Sequence, residues 1–434
     1  MRGCVSPPAR SQVASQPETR WCPVRLNTLL SLSVVALAVL FAPASPAASR
    51  YKVLHSFNYG EQHQIGPPVG ALVLDKNGNL YGAAGVGGTG CDPFGCGLVF
   101  ELKRQQGGGW GFVVLYEFAG GTDGAYPSGS LIFDGKGNLY GTLDGNGRVD
   151  VGGVFELRST SGGWSNTVLY GDNAGPGVVL DKLGNLYGEI GPGNYFHIGA
   201  IGELSPGSNG WVYADLANFN PTVGYGPPAP PIWDGKGNLF GTTTDGGIRQ
   251  PACWTSFGCG VIFEMTPNGD GTWTYHILHR FASYGTDGQT PYGGLVMDAS
   301  GNFYGTTEFG GDKGNGTVFK FSFTGGHWKK SVVYDFPDWH DGALPNSTLV
   351  LDKAGNLYGI GGGGNQGCGP YTCGVVFKLT PQKNGPWKYI VVHKFSGPDG
   401  NFPIGVIVDS KGNIFGTTSN GGTYNFGVAF EITP

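Results

Sequence analysis

One phrase, Asp-x-x-Gly-Asn-(Leu/Phe/Ile)-(Tyr/Phe)-Gly, occurs seven times, beginning at Asp75, Asp134, Asp181, Asp234, Asp298, Asp352 and Asp409. A unit repeated every few tens of residues cannot bury its apolar face alone, so it must stack on copies of itself. Successive copies begin 59, 47, 53, 64, 54 and 57 residues apart. The repeat around Asp298 predicts four short strands: A at 294–298 (GLVMD), B at 302–307 (NFYGTT), C at 317–321 (TVFKF) and D at 330–336 (KSVVYDF). The phrase itself is the A–B turn: its Asp accepts turn N–H groups and its first Gly supplies a positive φ. Trp110, Trp164, Trp211, Trp273, Trp328 and Trp387 recur near the C–D turn and are expected to serve blade packing.

Seven all-β units suit one closed ring, and the chain ends support closure. Residues 52–57 (KVLHSF) match strand D, whereas 427–433 (GVAFEIT) match strand C. The last unit lacks the D strand that the first segment supplies, and pairing the two removes the exposed edges a solenoid would leave. The expected fold class is therefore all-β, a seven-bladed β-propeller of four-stranded blades over residues 48–434. By this connectivity the B–C and D–A loops share one irregular face.

Glycine, at 82 of 434 residues, is placed at fixed offsets in the repeats, and 26 Phe, 20 Tyr and 10 Trp supply a large core. Disorder is therefore excluded as the reading of this composition. Residues 26–41 are apolar, follow Arg20 and Arg25, and precede the small residues APASPAAS, the pattern of a secretory signal peptide over 1–47. The run is short for a membrane span. Its removal takes away four of 26 basic and one of 31 acidic residues, leaving a net charge of −8. No basic tract remains, so nucleic acid and an anionic membrane are not expected partners. A secreted or periplasmic monomer is expected.

Cys4 and Cys22 fall in the leader. The other six form close pairs between strands B and C: Cys91/Cys96, Cys253/Cys259 and Cys368/Cys373. Local, even pairing in an exported chain reads as disulfides; zinc is the alternative, though no His stands near at ligand spacing.

The strand C segments at 99–102, 154–157, 261–264, 318–320 and 376–379, the DGxxP segments starting at Asp123, Asp287, Asp341 and Asp399, and the DxxGNLYGTT phrase together resemble the GloVer tandem-repeat family. The resemblance spans nearly the whole chain after the leader. It implies an exported bacterial repeat protein and carries no activity. Members often bear C-terminal surface anchors; this chain ends at Pro434 directly after its last strand, so release is the expectation. The A–B phrase alone is similar to NHL-type and gluconolactonase-like propellers, some of them metal-dependent lactonases or lyases.

Chemistry has several candidate places. Asp123, Asp287, Asp341 and Asp399 open the DGxxP loops. They either initiate turns before a Pro-fixed strand or ring one face as oxygen ligands for Ca²⁺. Glu189 breaks the GTT pattern of strand B, and the following loop holds His197; an acid and a His together could serve as a general acid/base pair. Glu308 follows the pattern in the fifth repeat. Trp254, Tyr284, Trp339 and His340 lie in loops of the irregular face, where aromatic platforms beside polar groups suit sugar rings. No nucleophile elbow, zinc-protease motif or phosphate loop is present. The leading expectation is an exported, non-catalytic binder of a glycan or an envelope or extracellular protein. The alternatives are a carbohydrate or lactone lyase or hydrolase, and a purely structural surface repeat.

Overall fold

The computed structural model describes residues 49–434 except 60–64, 92, 145–150, 173, 192–198, 248–252, 254–256, 283–284, 365 and 369–370. The leader expected over 1–47 lies outside these residues, as do His197, Trp254 and Tyr284. Seven four-stranded antiparallel sheets form the blades of a propeller. Blade one comprises strands A (Pro68–Leu74), B (Leu80–Ala84), C (Leu98–Arg104) and D (Trp110–Glu117). Blades two to six repeat this order, beginning at Pro127, Ala174, Ile232, Val296 and Val350. Blade seven takes Asn401–Val408, Ile414–Asn420 and Val428–Thr433, and its outermost strand is Arg50–Ser56. That strand pairs antiparallel with Val428–Thr433, Arg50 opposite Thr433, so the ring closes as the chain ends predicted.

The seven A–B turns share one hydrogen-bond pattern. In blade five, Asp298 Oδ1 accepts the N–H groups of Ser300 and Asn302, both at 2.9 Å, and Asn302 Nδ2 donates to Oδ2 at 2.8 Å. Gly301 has φ 77°. The closing Gly has a different reason to be Gly. A Cβ built on Gly305 would lie 2.5 Å from Cζ of Phe319, the ring that faces it from strand C. The same collision recurs at Gly82, Gly141, Gly241, Gly359 and Gly416. In blade three, strand C has Gly202 opposite Gly188, and the Tyr213 ring fills the space above Gly202.

Strand lengths in blade five differ from expectation. Strand A of blade five shrinks to Val296–Met297, because the backbone before it leans on the next blade. Gly294 N–H donates to Thr348 Oγ1 at 2.9 Å, and a Cβ on Gly293 would lie 2.2 Å from the Ser347 carbonyl oxygen. Strands C (Thr317–Thr324) and D (His327–Asp335) are longer than expected, meeting at Gly325-Gly326 with φ 64° and 82°. Two consecutive positive φ values define the tight hairpin turn that matches strand twist.

The core lies between blades. Trp328 of blade five stacks 4.9 Å from Phe321 and also meets Phe240 of blade four at 5.4 Å. Trp110 meets Phe415 of blade seven at 5.8 Å, and Trp387 meets Tyr304 of blade five at 5.8 Å. These tryptophans pack blades together, as the repeat spacing predicted. No helix among the described residues is long and apolar enough to cross a membrane.

Candidate functional site

The irregular face is built by an interlock repeated at four junctions. The residue before the Pro of each DGxxP loop donates its N–H to a carbonyl in the preceding blade's B–C loop: Tyr126 to Cys96, Thr290 to Cys259, Leu344 to Asn315 and Phe402 to Cys373, at 2.7 to 3.1 Å. All four donors have positive φ, between 49° and 58°. The acceptor is followed by a Gly (Gly97, Gly260, Gly316 or Gly374) where a Cβ would strike the Cδ of the DGxxP proline. B–C and D–A loops therefore share one face. Three of the four acceptors are disulfide-bonded: Cys91–Cys96, Cys253–Cys259 and Cys368–Cys373 have Cα separations of 5.0, 5.2 and 5.2 Å. These bridges suit an oxidising, extracytoplasmic compartment.

The DGxxP carboxylates join neighbouring blades. Asp287 Oδ1 accepts from Lys330 Nζ at 2.9 Å, and both its oxygens lie 3.1 Å from His279 Nε2. Burial raises the Asp287 carboxyl, but the His279 hydrogen bond and the Lys330 charge outweigh it and hold the group at about 2. Asp123 accepts from Tyr116 Oη at 2.6 Å and from Asn166 Nδ2 at 3.1 Å. Asp399 pairs with His393 Nε2 at 2.8 Å and accepts from Ser396, while Asp341 accepts from Lys394 Nζ at 2.6 Å. The backbone carbonyls of Asp123, Asp287, Asp341 and Asp399 receive Asn166, Lys330, Tyr389 and Tyr51, each from strand D of the next blade. The four carboxylates thus stand one per junction, each held by protein donors. Among the described residues no three His, Cys, Asp or Glu side chains gather as a metal would require.

The A strands and the segments leading into them, from all seven blades, line a central channel of about 360 Å³, walled mainly by Gly, Pro and aliphatic residues. Its mouth widens into a cavity of about 520 Å³. Glu189 is on its wall, with Ser128, Asp144, Thr244 and Tyr292 from the neighbouring blades and D–A loops. Glu189 takes a step of strand B held by threonine in several blades. Thr242, Thr306 and Thr417 donate to the next blade's inner carbonyls, Gly293, Ser347 and Gly70. The longer carboxyl of Glu189 has room because two neighbours lack side chains. A Cβ on Gly175 would lie 2.2 Å from Oε2, and one on Gly199 would lie 2.7 Å from Oε1. Burial pushes the Glu189 carboxyl up to about 8. Tyr292 is 48% exposed and borders both cavity and channel.

Of the described residues singled out from sequence, only Glu189 is placed in this cavity. Glu308 is raised by burial and anchored through its N–H to the Thr290 carbonyl at 2.9 Å. Trp339, 49% exposed, and the exposed His340 stand in the D–A loop between blades five and six, where the Trp339 carbonyl accepts from Gly364 N–H at 2.7 Å. Sequence reasoning missed Asp144, Thr244 and Tyr292. Their signal was faint: Asp144 directly follows strand B of blade two, and Tyr292 directly follows a DGxxP proline.

The chain is similar to several solved structures at low sequence identity. A peptidase of Mycobacterium tuberculosis, described as puromycin-hydrolysing, aligns with a TM-score of 0.50 at 10% identity, covering 84% of this chain and 51% of that one. A polysaccharide lyase, Uly1, aligns at 0.49 with 11% identity, covering 87% and 92%. A protein of Thermus thermophilus described as an oxidoreductase (glucose dehydrogenase) aligns at 0.41 with 15% identity, covering 89% and 100%. No curated protein matches the chain in sequence. The Gloeobacter/Verrucomicrobia repeat matches residues 40–254 and 252–434, and the chain belongs to that family.

Proposed function

We propose that this protein is an exported propeller that binds a saccharide at the channel mouth of its loop-bearing face. The observation that carries the reading is the convergence of Glu189, Asp144, Ser128, Thr244 and the half-exposed Tyr292 on one cavity of about 520 Å³. Carboxyls and hydroxyls satisfy sugar hydroxyls, and an aromatic ring offers its face to the apolar side of a pyranose. Trp339 and His340 on the same face supply an outer contact for a longer chain. Titration calorimetry of the chain from residue 48 onward against a panel of oligosaccharides tests this. Binding that Tyr292→Ala weakens about tenfold or more supports it; a panel without a single ligand sinks it.

A second reading is favoured by one observation. A general acid must hold its proton at working pH, and burial gives Glu189 that property, with Asp144 on the same cavity wall. Cleavage of a glycosidic bond would then accompany binding. Release of reducing ends by the wild type, lost in Glu189→Gln while binding persists, would make the protein a hydrolase; no release would leave it a binder.

A further inference from the structure

Glu189 is an expensive choice for its position. The threonines at the same step join adjacent blades, whereas the Glu189 side chain makes no hydrogen bond among the described residues. Without a partner among the described residues, a partly buried carboxyl is a cost to the fold. Two glycines nonetheless leave space for it, and Gly175 has an ordinary φ, so the Glu189 side chain beside it, Cβ at 2.7 Å as well as Oε2 at 2.2 Å, accounts for the missing side chain. The cavity wall also carries Asp144 and Tyr292, its other titratable groups, and no Lys, Arg or His among its described residues. An anionic ligand would oppose ionisation of that carboxyl, and a neutral polyol would leave it protonated. A cation would supply the counter-charge that lets it ionise, and the Tyr292 ring adds a face that cations favour.

We infer that the channel-mouth cavity takes a sugar bearing a free ammonium group, with Glu189 as the counter-ion of that ammonium. The inference rests on the saccharide reading above and names its ligand class, an amino sugar without its acyl group. In the free protein Glu189 carries a proton at pH 7, since burial pushes it up to about 8. An arriving ammonium stabilises the carboxylate and displaces that proton.

The experiment is titration calorimetry at pH 6, where a sugar amine is mostly ammonium and Glu189 still holds its proton, in two buffers of different ionisation enthalpy. The ligands are glucosamine oligomers, their N-acetylated counterparts, glucose oligomers and a sugar-free diamine; the proteins are wild type and Glu189→Gln. The expected result is about tenfold or greater preference for glucosamine oligomers over the acetylated ones, release of about one proton per site, and loss of both in Glu189→Gln. Equal affinity for acetylated and free amino sugars, or a preference unchanged in Glu189→Gln, overturns the ammonium assignment while leaving the saccharide reading in place. Binding of the diamine alone, dependent on Glu189, keeps the ammonium site and removes the saccharide. Binding of nothing removes both. Should Glu189→Gln fail to fold, the proton count on the wild type decides.

Discussion

Tyr51 stacks on His393 with ring centroids 4.0 Å apart and 10° between planes, joining the outermost strand of blade seven to blade six. The Tyr51 hydroxyl also donates to the Asp399 carbonyl. Both contacts belong to the strand that closes the ring. Tyr51→Ala is expected to cost about 3 kcal/mol, the scale of losing a packed aromatic. Tyr51→Phe, which keeps the stack, should cost about 1 kcal/mol. Urea unfolding followed by tryptophan fluorescence separates the two; equal effects would mean the stack contributes nothing.

The same strand carries an acid-sensitive group. His55 stacks on Phe112 of blade one at 4.1 Å, its Nε2 is buried without a hydrogen bond, and burial lowers its pKa to about 4. Above about pH 6.5 the imidazole is neutral in folded and unfolded chains alike. Between 6.5 and 4 the unfolded chain takes up the proton first, so stability falls as pH falls, by at most about 3 kcal/mol. His55→Phe should flatten the melting temperature across that window; a slope identical to wild type would assign the acid sensitivity elsewhere.

Asp287 compensates a buried charge. The Lys330 side chain is 5% exposed, and its ammonium pairs with the Asp287 carboxylate. Asp287→Ala leaves that ammonium buried and unpaired, a loss of about 3–5 kcal/mol. Replacing both residues, Asp287→Ala with Lys330→Met, should restore part of it. Because these loop carboxylates are already held by protein donors, EDTA should leave the melting temperature unchanged; a drop would show that a cation competes for them.

Thr290 holds a backbone conformation that β-branched residues avoid. Its φ is 55°, its side chain is buried, and its Oγ1 has no hydrogen bond. Thr290→Gly relieves the left-handed strain and removes the orphaned hydroxyl while keeping the N–H that bonds to Cys259. A gain of about 1 kcal/mol is expected, seen as a higher melting temperature. A loss would show that the side chain's packing outweighs its strain.

A glycine of the cavity wall and a glycine of the channel should respond differently to alanine. At Gly175 a methyl group meets the Glu189 side chain, Oε2 at 2.2 Å and Cβ at 2.7 Å, so Gly175→Ala should displace that side chain and weaken ligand binding at a modest cost in stability. At Gly129, with φ 72°, it meets the Pro176 backbone at 2.2 Å, so Gly129→Ala should cost several-fold more in stability, of order 3 kcal/mol or above. Paired melting and binding curves distinguish the two behaviours. Comparable destabilisation at both positions would count against the account of Gly175.

What the sequence disclosed follows from how far each interaction reaches. The Asp298–Asn302 turn is local, closing over four residues, so its seven-fold recurrence could be read directly. Ring closure followed from the missing D strand after residue 433. Glu189 stood out because it broke a pattern. Asp144 and Tyr292 did not, because their meeting with Glu189 depends on blades two to five curving around one axis. Asp287 illustrates the same limit. As a loop carboxylate in a repeated motif it read as a turn former or a cation ligand; Lys330, which pairs with it, lies 43 residues downstream on another blade. The shortening of strand A likewise depends on the next blade's backbone, which no single repeat contains.

The antiparallel pairing of Arg50 with Thr433 also sets how the molecule would bear tension. Both ends of the ring emerge at the same end of one two-strand ladder. A pull applied between them peels that ladder open one hydrogen bond at a time, and does not load all of its bonds in shear. The closure that seals the ring against its surroundings is therefore its mechanically weakest seam, and a tether on a single end would spare it.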